Sequence, residues 1–451
     1  MSMLDFDRFL FAFTIGSHII LVSASIGLIV LITVLEFMYL RRKEARYSVL
    51  LSRLKKVFVI SFGVGTASGI VMAVELVALF PGFMTLVSET GVIALFYAEI
   101  FAFFLETIAL ILYVYYDDVF QWKYRSAVLA TTILFATLLS AVFITMVNAW
   151  MNTPTGFTLV SVSQIAVTDV NPWAAFVTPS TFSEVVHVLT TTILAGIMIF
   201  AVFFASKYLR TEDEDERAMA ATAMHIIGVA AIVDIVLAGL SGSHEMATVL
   251  TLQPLKYAAF DLNYFGGTNL PENLFGYLSG TKVVWALLIP GLQSFLAGFE
   301  TGITNLPGLA QFPQANWPPL FVHTSFDVMV VGGLLIGLFL FIMFVLFVIG
   351  RDPLKYRFML YLYPVVGVFT MLVYQMGWVT DEVGREPWIV YNVMTVSQAI
   401  NSSPGLLIPG YAIVAFYLLL FPVTFYFFSR IYSTPSEKGK RGMKSEGGVN
   451  Y

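Results

Sequence analysis

The 451-residue sequence predicts an all-α integral membrane protein with nine transmembrane helices, N-terminus outside and C-terminus inside. Three observations predict it. Apolar residue types make up 58% of the chain and mean hydropathy is +0.83, more apolar surface than soluble domains could keep from water. Charged residues make up 12%, about half the roughly 25% of soluble globular domains. The 24 Lys and Arg residues are absent from 9–40, 57–122, 126–206, 218–255, 283–350, 358–384 and 386–429. A helix needs about 20 mostly apolar residues to cross a bilayer.

Those gaps hold nine spans, at roughly 9–38, 57–80, 92–115, 126–149, 183–206, 218–240, 320–349, 358–380 and 405–429. The gap 57–122 divides at Pro81-Gly82, and 126–206 divides at the polar stretch from Asn152 to Pro179. Direction follows from the loop charges. With the N-terminus outside, twenty basic residues fall inside and four outside: Arg8, Lys256, Lys282 and Arg385. An even number of spans, or the opposite orientation, destroys that asymmetry.

The spans divide the chain into helices 1–6 (1–240), a large outer loop (241–319), helices 7–9 (320–430) and a polar, basic, disordered cytoplasmic tail (431–451). Within the loop the apolar run Val283 to Gly298 is interrupted by Pro290-Gly291, so it is expected as a short re-entrant or interfacial piece. No secretory signal peptide is expected, because Asp5 and Asp7 stand where a basic n-region would. A net charge of −5 argues against a nucleic-acid partner. Zero Cys removes disulfides, thiolate iron–sulfur sites, covalent haem attachment through C-x-x-C-H and thiol nucleophiles.

Ionisable groups at membrane depth are costly and usually functional. His18 on span 1, His187 near the outer end of span 5, Met329 on span 7 and Glu382 just past span 8 all fall in the outer half. Imidazole, thioether and carboxylate can each ligate haem iron. Equally, a lone His can bond a neighbouring helix and a Met can fill a gap. Glu99 and Glu106 on span 3 are seven residues apart, hence on one face and about 10 Å apart, an arrangement suited to a proton relay. Ser61, Gly65 and Gly69 form a small-residue stripe that reads as helix packing. Trp150, Trp317 and Trp378 read as an interfacial belt, and Arg385 with Trp388 could be one more such anchor. These residues alone fit either a redox haem protein or a haem-free, proton-coupled transporter.

Several segments resemble subunit I of the cytochrome bd quinol oxidases, from Arg8 to about Gly405: RFLFAFTIGSH, SFGVGTASGIVM, AFFLE, NAWMNTPTGF, QPLKYAAFD, IPGLQSFLAG, SFDVMVVGG and GWVTDEVGREPW. The resemblance implies a short-loop, divergent member with three haems. His187 and Met329 would ligate the low-spin haem b558. His18 and Glu382 would serve the di-haem oxygen site, holding haem b595 and either haem d or a third haem b, with Arg385 and Trp388 beside them. Lys256 and Asp261 would bind and oxidise membrane quinol. Glu106 and Ser140, with Glu99, would relay protons from inside for reduction of O2 to water. A proton gradient would then arise without a pump. Subunit II, and in some members a small single-helix subunit, are the implied partners in the bilayer. Three departures stand out: Ala98 occupies the usual place of Glu99, Asp261 replaces a Glu, and Glu386 replaces a Gln. A bd-like oxidase with a non-quinol donor is the variant reading.

Overall fold

The computed structural model describes residues 3–116, 119, 122–161, 165–401 and 403–433. Among them, nine helices are long and apolar enough to cross a membrane. The chain opens with α1 (Met3–Arg42) and α2 (Ala45–Leu79). The short α3 (Pro81–Glu89) begins at the Pro81-Gly82 division, where proline suits a first helical turn. Then come α4 (Ile93–Tyr115) and α5 (Arg125–Asn152). The polar stretch that follows holds the β1–β2 hairpin (Thr158–Ser161, Ala166–Thr168) and α6 (Pro172–Phe176).

The fifth span is α7 (Thr181–Met198) continuing, after a break at Ile199 and Phe200, as α8 (Ala201–Arg210). It crosses α1 at backbone contact. A Cβ on Gly27 would lie 2.0 Å from the Gly196 backbone, so only glycine fits at this crossing. Helix α9 (Glu214–Leu252) starts at Asp213, whose carboxylate caps Asp215 N at 2.9 Å and Glu216 N at 3.2 Å. It ends twelve residues later than the expected 240, because residues 241–252 contain no proline and the chain is first forced out of the helix at Gln253, before Pro254.

The segment between the sixth and seventh spans therefore begins at Gln253. It contains α10 (Pro254–Phe260) and two strand pairs, β3 (Glu272–Leu274) with β6 (Leu287–Ile289) and β4 (Tyr277–Ser279) with β5 (Lys282–Val284). Helix α11 (Leu292–Thr301) follows Gly291. The apolar run Val283 to Gly298 is thus two strands and a helix, because its β-branched and large residues before Pro290 pair with β3 and β4. Helices α12 (Val322–Val348) and α13 (Arg357–Arg385) pack side by side. Strands β7 (Trp388–Val390) and β8 (Met394–Thr395) and α14 (Val396–Ala399) lead to α15 (Leu407–Ser433). That helix extends three residues into the stretch read as tail; 434–451 lie outside the described residues.

The main core joins α1, α2, α7, α9, α12 and α13 around Leu28, Phe58, Ile197, Ile227 and Tyr363.

Candidate functional site

His187 on α7 and Met329 on α12 line one cavity of about 1000 Å³, together with Gly242 on α9 and Gly377 on α13. The His187 Nδ1 lies 3.2 Å from Ser241 Oγ. Ser241 gives its own hydrogen to the Ala238 carbonyl, at 3.1 Å, so it accepts from Nδ1–H and leaves the Nε2 lone pair free. A Cβ on Gly242 would stand 3.0 Å from His187 Cε1, and one on Gly377 would stand 3.2 Å from Met329 Sδ. The imidazole nitrogen and thioether sulfur are donors that would suit a haem iron, and the two glycines leave room for the side chains that would hold it.

The same device recurs at His18. Its Nδ1 lies 2.8 Å from Ser68 Oγ, which donates to the Gly65 carbonyl, also at 2.8 Å. The next residue, Gly69, would put a Cβ 3.2 Å from His18 Cε1. The small-residue stripe on α2 is therefore more than packing: Ser61 bonds Ser25 at 2.6 Å, whereas Gly69 makes room for an imidazole. Beside His18, Ile19 and Ile20 pack with Met371, Tyr374 and Trp378. This places Trp378 in a tertiary contact, in addition to any interfacial role.

Glu382 and Arg385 enter a buried polar network. Arg385 Nη2 donates to Glu382 Oε2 at 2.5 Å, and Nη1 donates to Asn148 Oδ1 (2.8 Å) and Asn152 Oδ1 (3.0 Å). Asn148 Nδ2 bridges Glu382 Oε1 (2.9 Å) and Asp381 Oδ2 (3.0 Å). Asp381 Oδ1 receives Lys256 Nζ at 2.5 Å, and Lys256 is 3% exposed at its side chain. The network thus ties α10 to the carboxylate-bearing end of α13. Asn148, Asn152 and Asp381 escaped the sequence reading. Their only signal is an asparagine pair one helical turn apart in NAWMN, and an acid preceding Glu382. Trp388 is half-buried in β7, opposite Thr395, outside the described bonds of this network. The cavity that holds His187 and Met329 is not lined by His18 or Glu382.

Asp261, at the end of α10, is 2% exposed. Gln293 on α11 donates to its Oδ2. Burial, followed by the charge of Glu272, pushes this carboxyl well above the usual carboxylate range. Lys256, Asp261, Glu272 and Gln293 line the same cavity as His187.

On α4, Ser140 of α5 donates to Glu99 Oε1 at 3.0 Å. The hydroxyl bonded to the buried Glu106 is that of Thr137. The expected pairing of Ser140 with Glu106 is therefore corrected. Adjacent α4 and α5 run antiparallel, so moving seven residues forward on α4 meets an earlier residue on α5. Glu99 reaches Ser140 despite its one-place displacement from Ala98.

Comparison with known proteins identifies the family. The family model for cytochrome bd terminal oxidase subunit I matches residues 6–435. A putative cytochrome bd menaquinol oxidase subunit I of Bacillus subtilis (strain 168) is 33% identical, over 88% of this chain and 89% of the relative. A cytochrome bd ubiquinol oxidase subunit 1 of the same organism is 26% identical over 95% and 93%. The solved bd oxidase from Geobacillus thermodenitrificans superposes with a TM-score of 0.88 at 28% identity, covering 96% of this chain and 98% of that one. With a family match across almost its whole length, the chain belongs to the cytochrome bd terminal oxidase subunit I family.

Proposed function

We propose that this chain is the haem-bearing subunit of a quinol:O2 oxidoreductase of the cell membrane, oxidising quinol at the 253–321 segment and reducing O2 to water. The observation that carries this is the single cavity lined both by His187 and Met329 and by Lys256 and Asp261. Donors suited to a low-spin haem b558 and groups suited to a quinol thereby share one space. His18 and Glu382 are assigned to the two further haems, b595 and either haem d or a third haem b. When bound, the haems supply electron transfer and oxygen reduction.

The chain's residues do the rest. Ser68 and Ser241 hold each imidazole with Nε2 free. Lys256, held by Asp381, presents a cation to a quinol oxygen, while Asp261 supplies a base for its proton. Arg385 balances the charge of Glu382. Glu106, with Thr137, and Glu99, with Ser140, pass protons inward to outward along α4. Protons lost to the outside and taken from the inside build a gradient without a pump. Apolar faces such as Phe101, Phe104 and Ile108 on α4 are exposed and meet lipid or a companion subunit II, with a small single-helix subunit as a further partner.

The test is O2 uptake by the oxidase purified with its companion subunits. Quinol should drive it, and Lys256→Met should lower it while leaving uptake driven by an artificial reductant in place. Turnover with the artificial reductant alone would indicate a non-quinol donor. A haem-free preparation with proton-coupled solute flux would replace the oxidase reading by a transporter.

A further inference from the structure

Two carboxyls, Asp261 and Glu272, meet in the loop between α9 and α12. Asp261 Oδ1 is buried and lacks a conventional donor, and the Glu272 carboxyl of β3 is in hydrogen-bond contact with Asp261. Two buried carboxyls in contact oppose each other's ionisation, which favours one proton held between them. Burial raises Glu272 as it raises Asp261.

The charged and titratable neighbours are Tyr257 on α10, and His323 and Asp327 on α12; Gln293 on α11 is neutral. His323 places Nδ1 2.6 Å from the Phe260 carbonyl and Nε2 3.0 Å from the Phe275 carbonyl. Asp327 Oδ2 lies 3.2 Å from Nε2. Lys256 is already bound to Asp381. The acid pair is left with one proton and one negative charge, and both members line the cavity.

We propose that Glu272 is a further catalytic residue of quinol oxidation, forming with Asp261 a proton-sharing pair that accepts the hydroxyl protons of the quinol. The inference rests on the quinol reading of this cavity. A quinol becomes a quinone by losing two electrons and two protons. The electrons go to the redox centres of the parent reaction and finally to O2. Each O–H bond that breaks delivers its proton to the anionic pair, which becomes neutral and re-ionises toward the outside before the second transfer.

The test follows quinol-driven O2 uptake of the complete oxidase against pH, beside uptake driven by an artificial reductant. A neutral pair cannot accept a proton, so the wild-type rate falls as pH drops through the pair's lower titration, where the second proton binds. Glu272→Gln replaces the carboxyl that donates the shared proton by a weaker amide donor, so the Asp261 carboxylate loses stabilisation and is protonated from bulk more readily. The rate near neutrality should drop on the order of 10²-fold, and the acid limb should move to higher pH. Glu272→Asp should keep the limb in place. A uniform rate loss with an unmoved limb would overturn the catalytic role, as would an unchanged rate. Redox difference infrared spectra of the wild type give a check that needs no variant. A deuterium-sensitive protonated-carboxyl band must change with quinol turnover, and its absence overturns the shared proton. If wild-type enzyme turns over with the artificial reductant but with no quinol, the quinol reading itself has failed.

Discussion

Gly242→Ala sets two effects of opposite sign against each other. In mid-helix, alanine is favoured over glycine by about 1 kcal/mol, so propensity alone predicts a more stable α9. The new Cβ, however, would stand 3.0 Å from His187 Cε1 and 3.4 Å from Nδ1. Carbon atoms pack best at about 3.5–4.0 Å, so the imidazole must retreat by roughly 0.5 Å. Metal–ligand distances tolerate only about ±0.2 Å. A ring pushed off α9 also stretches its 3.2 Å bond to Ser241 on the same helix. The low-spin signal assigned to the His187 and Met329 pair should therefore be lost or split, without loss of folded protein. Gly63→Ala, which meets no atom within 4 Å, reports the helix-propensity gain alone. The assays are reduced-minus-oxidised and paramagnetic resonance spectra, with thermal unfolding in detergent. If Gly242→Ala keeps the wild-type low-spin spectrum and gains stability as Gly63→Ala does, the cradle argument is refuted.

Other consequences follow from the same geometry. Met329→Leu nearly conserves volume and should cost less than about 1.5 kcal/mol, yet convert the low-spin haem to a five-coordinate spectrum; an unchanged spectrum removes Met329 as a ligand. Asp381→Asn strands the buried Lys256 and should destabilise the fold by about 3 kcal/mol while raising KM for quinol; lost stability at constant KM would confine Asp381 to a structural role. Glu106→Gln should slow oxygen reduction at intact haem content, and normal turnover would exclude it from the relay. Glu99→Gln and Ser140→Ala should be non-additive because the two residues bond each other, whereas Glu106→Gln and Ser140→Ala should combine more nearly additively.

The spans were legible because lysine and arginine avoid hydrocarbon, so their gaps mark the helices directly. The end of α9 was not, because the residues from Ser241 to Glu245 look like loop in sequence, yet Gly242, Ser243 and Glu245 line a cavity in the bundle. His18, His187 and Met329 stood out as polar or soft groups at membrane depth. Their serine and glycine partners did not, since Ser68-Gly69 and Ser241-Gly242 differ in nothing local from a packing stripe. The Asn148–Asp381 bond joins residues 233 positions apart, a separation no local pattern encodes. Glu272 is a single acid in PENLFG and acquires meaning only when β3 lays it against Asp261. The Ser140 pairing needed the relative height of two antiparallel helices, which a list of spans leaves open.

The most direct measurement is a pyridine haemochrome spectrum with iron analysis on the oxidase purified with its companion subunits. Haem iron bound at more than one equivalent per chain, reducible by quinol and reoxidised by O2, is the predicted result. Folded protein without haem would contradict the assignment of His18, His187, Met329 and Glu382, and with it the oxidase function.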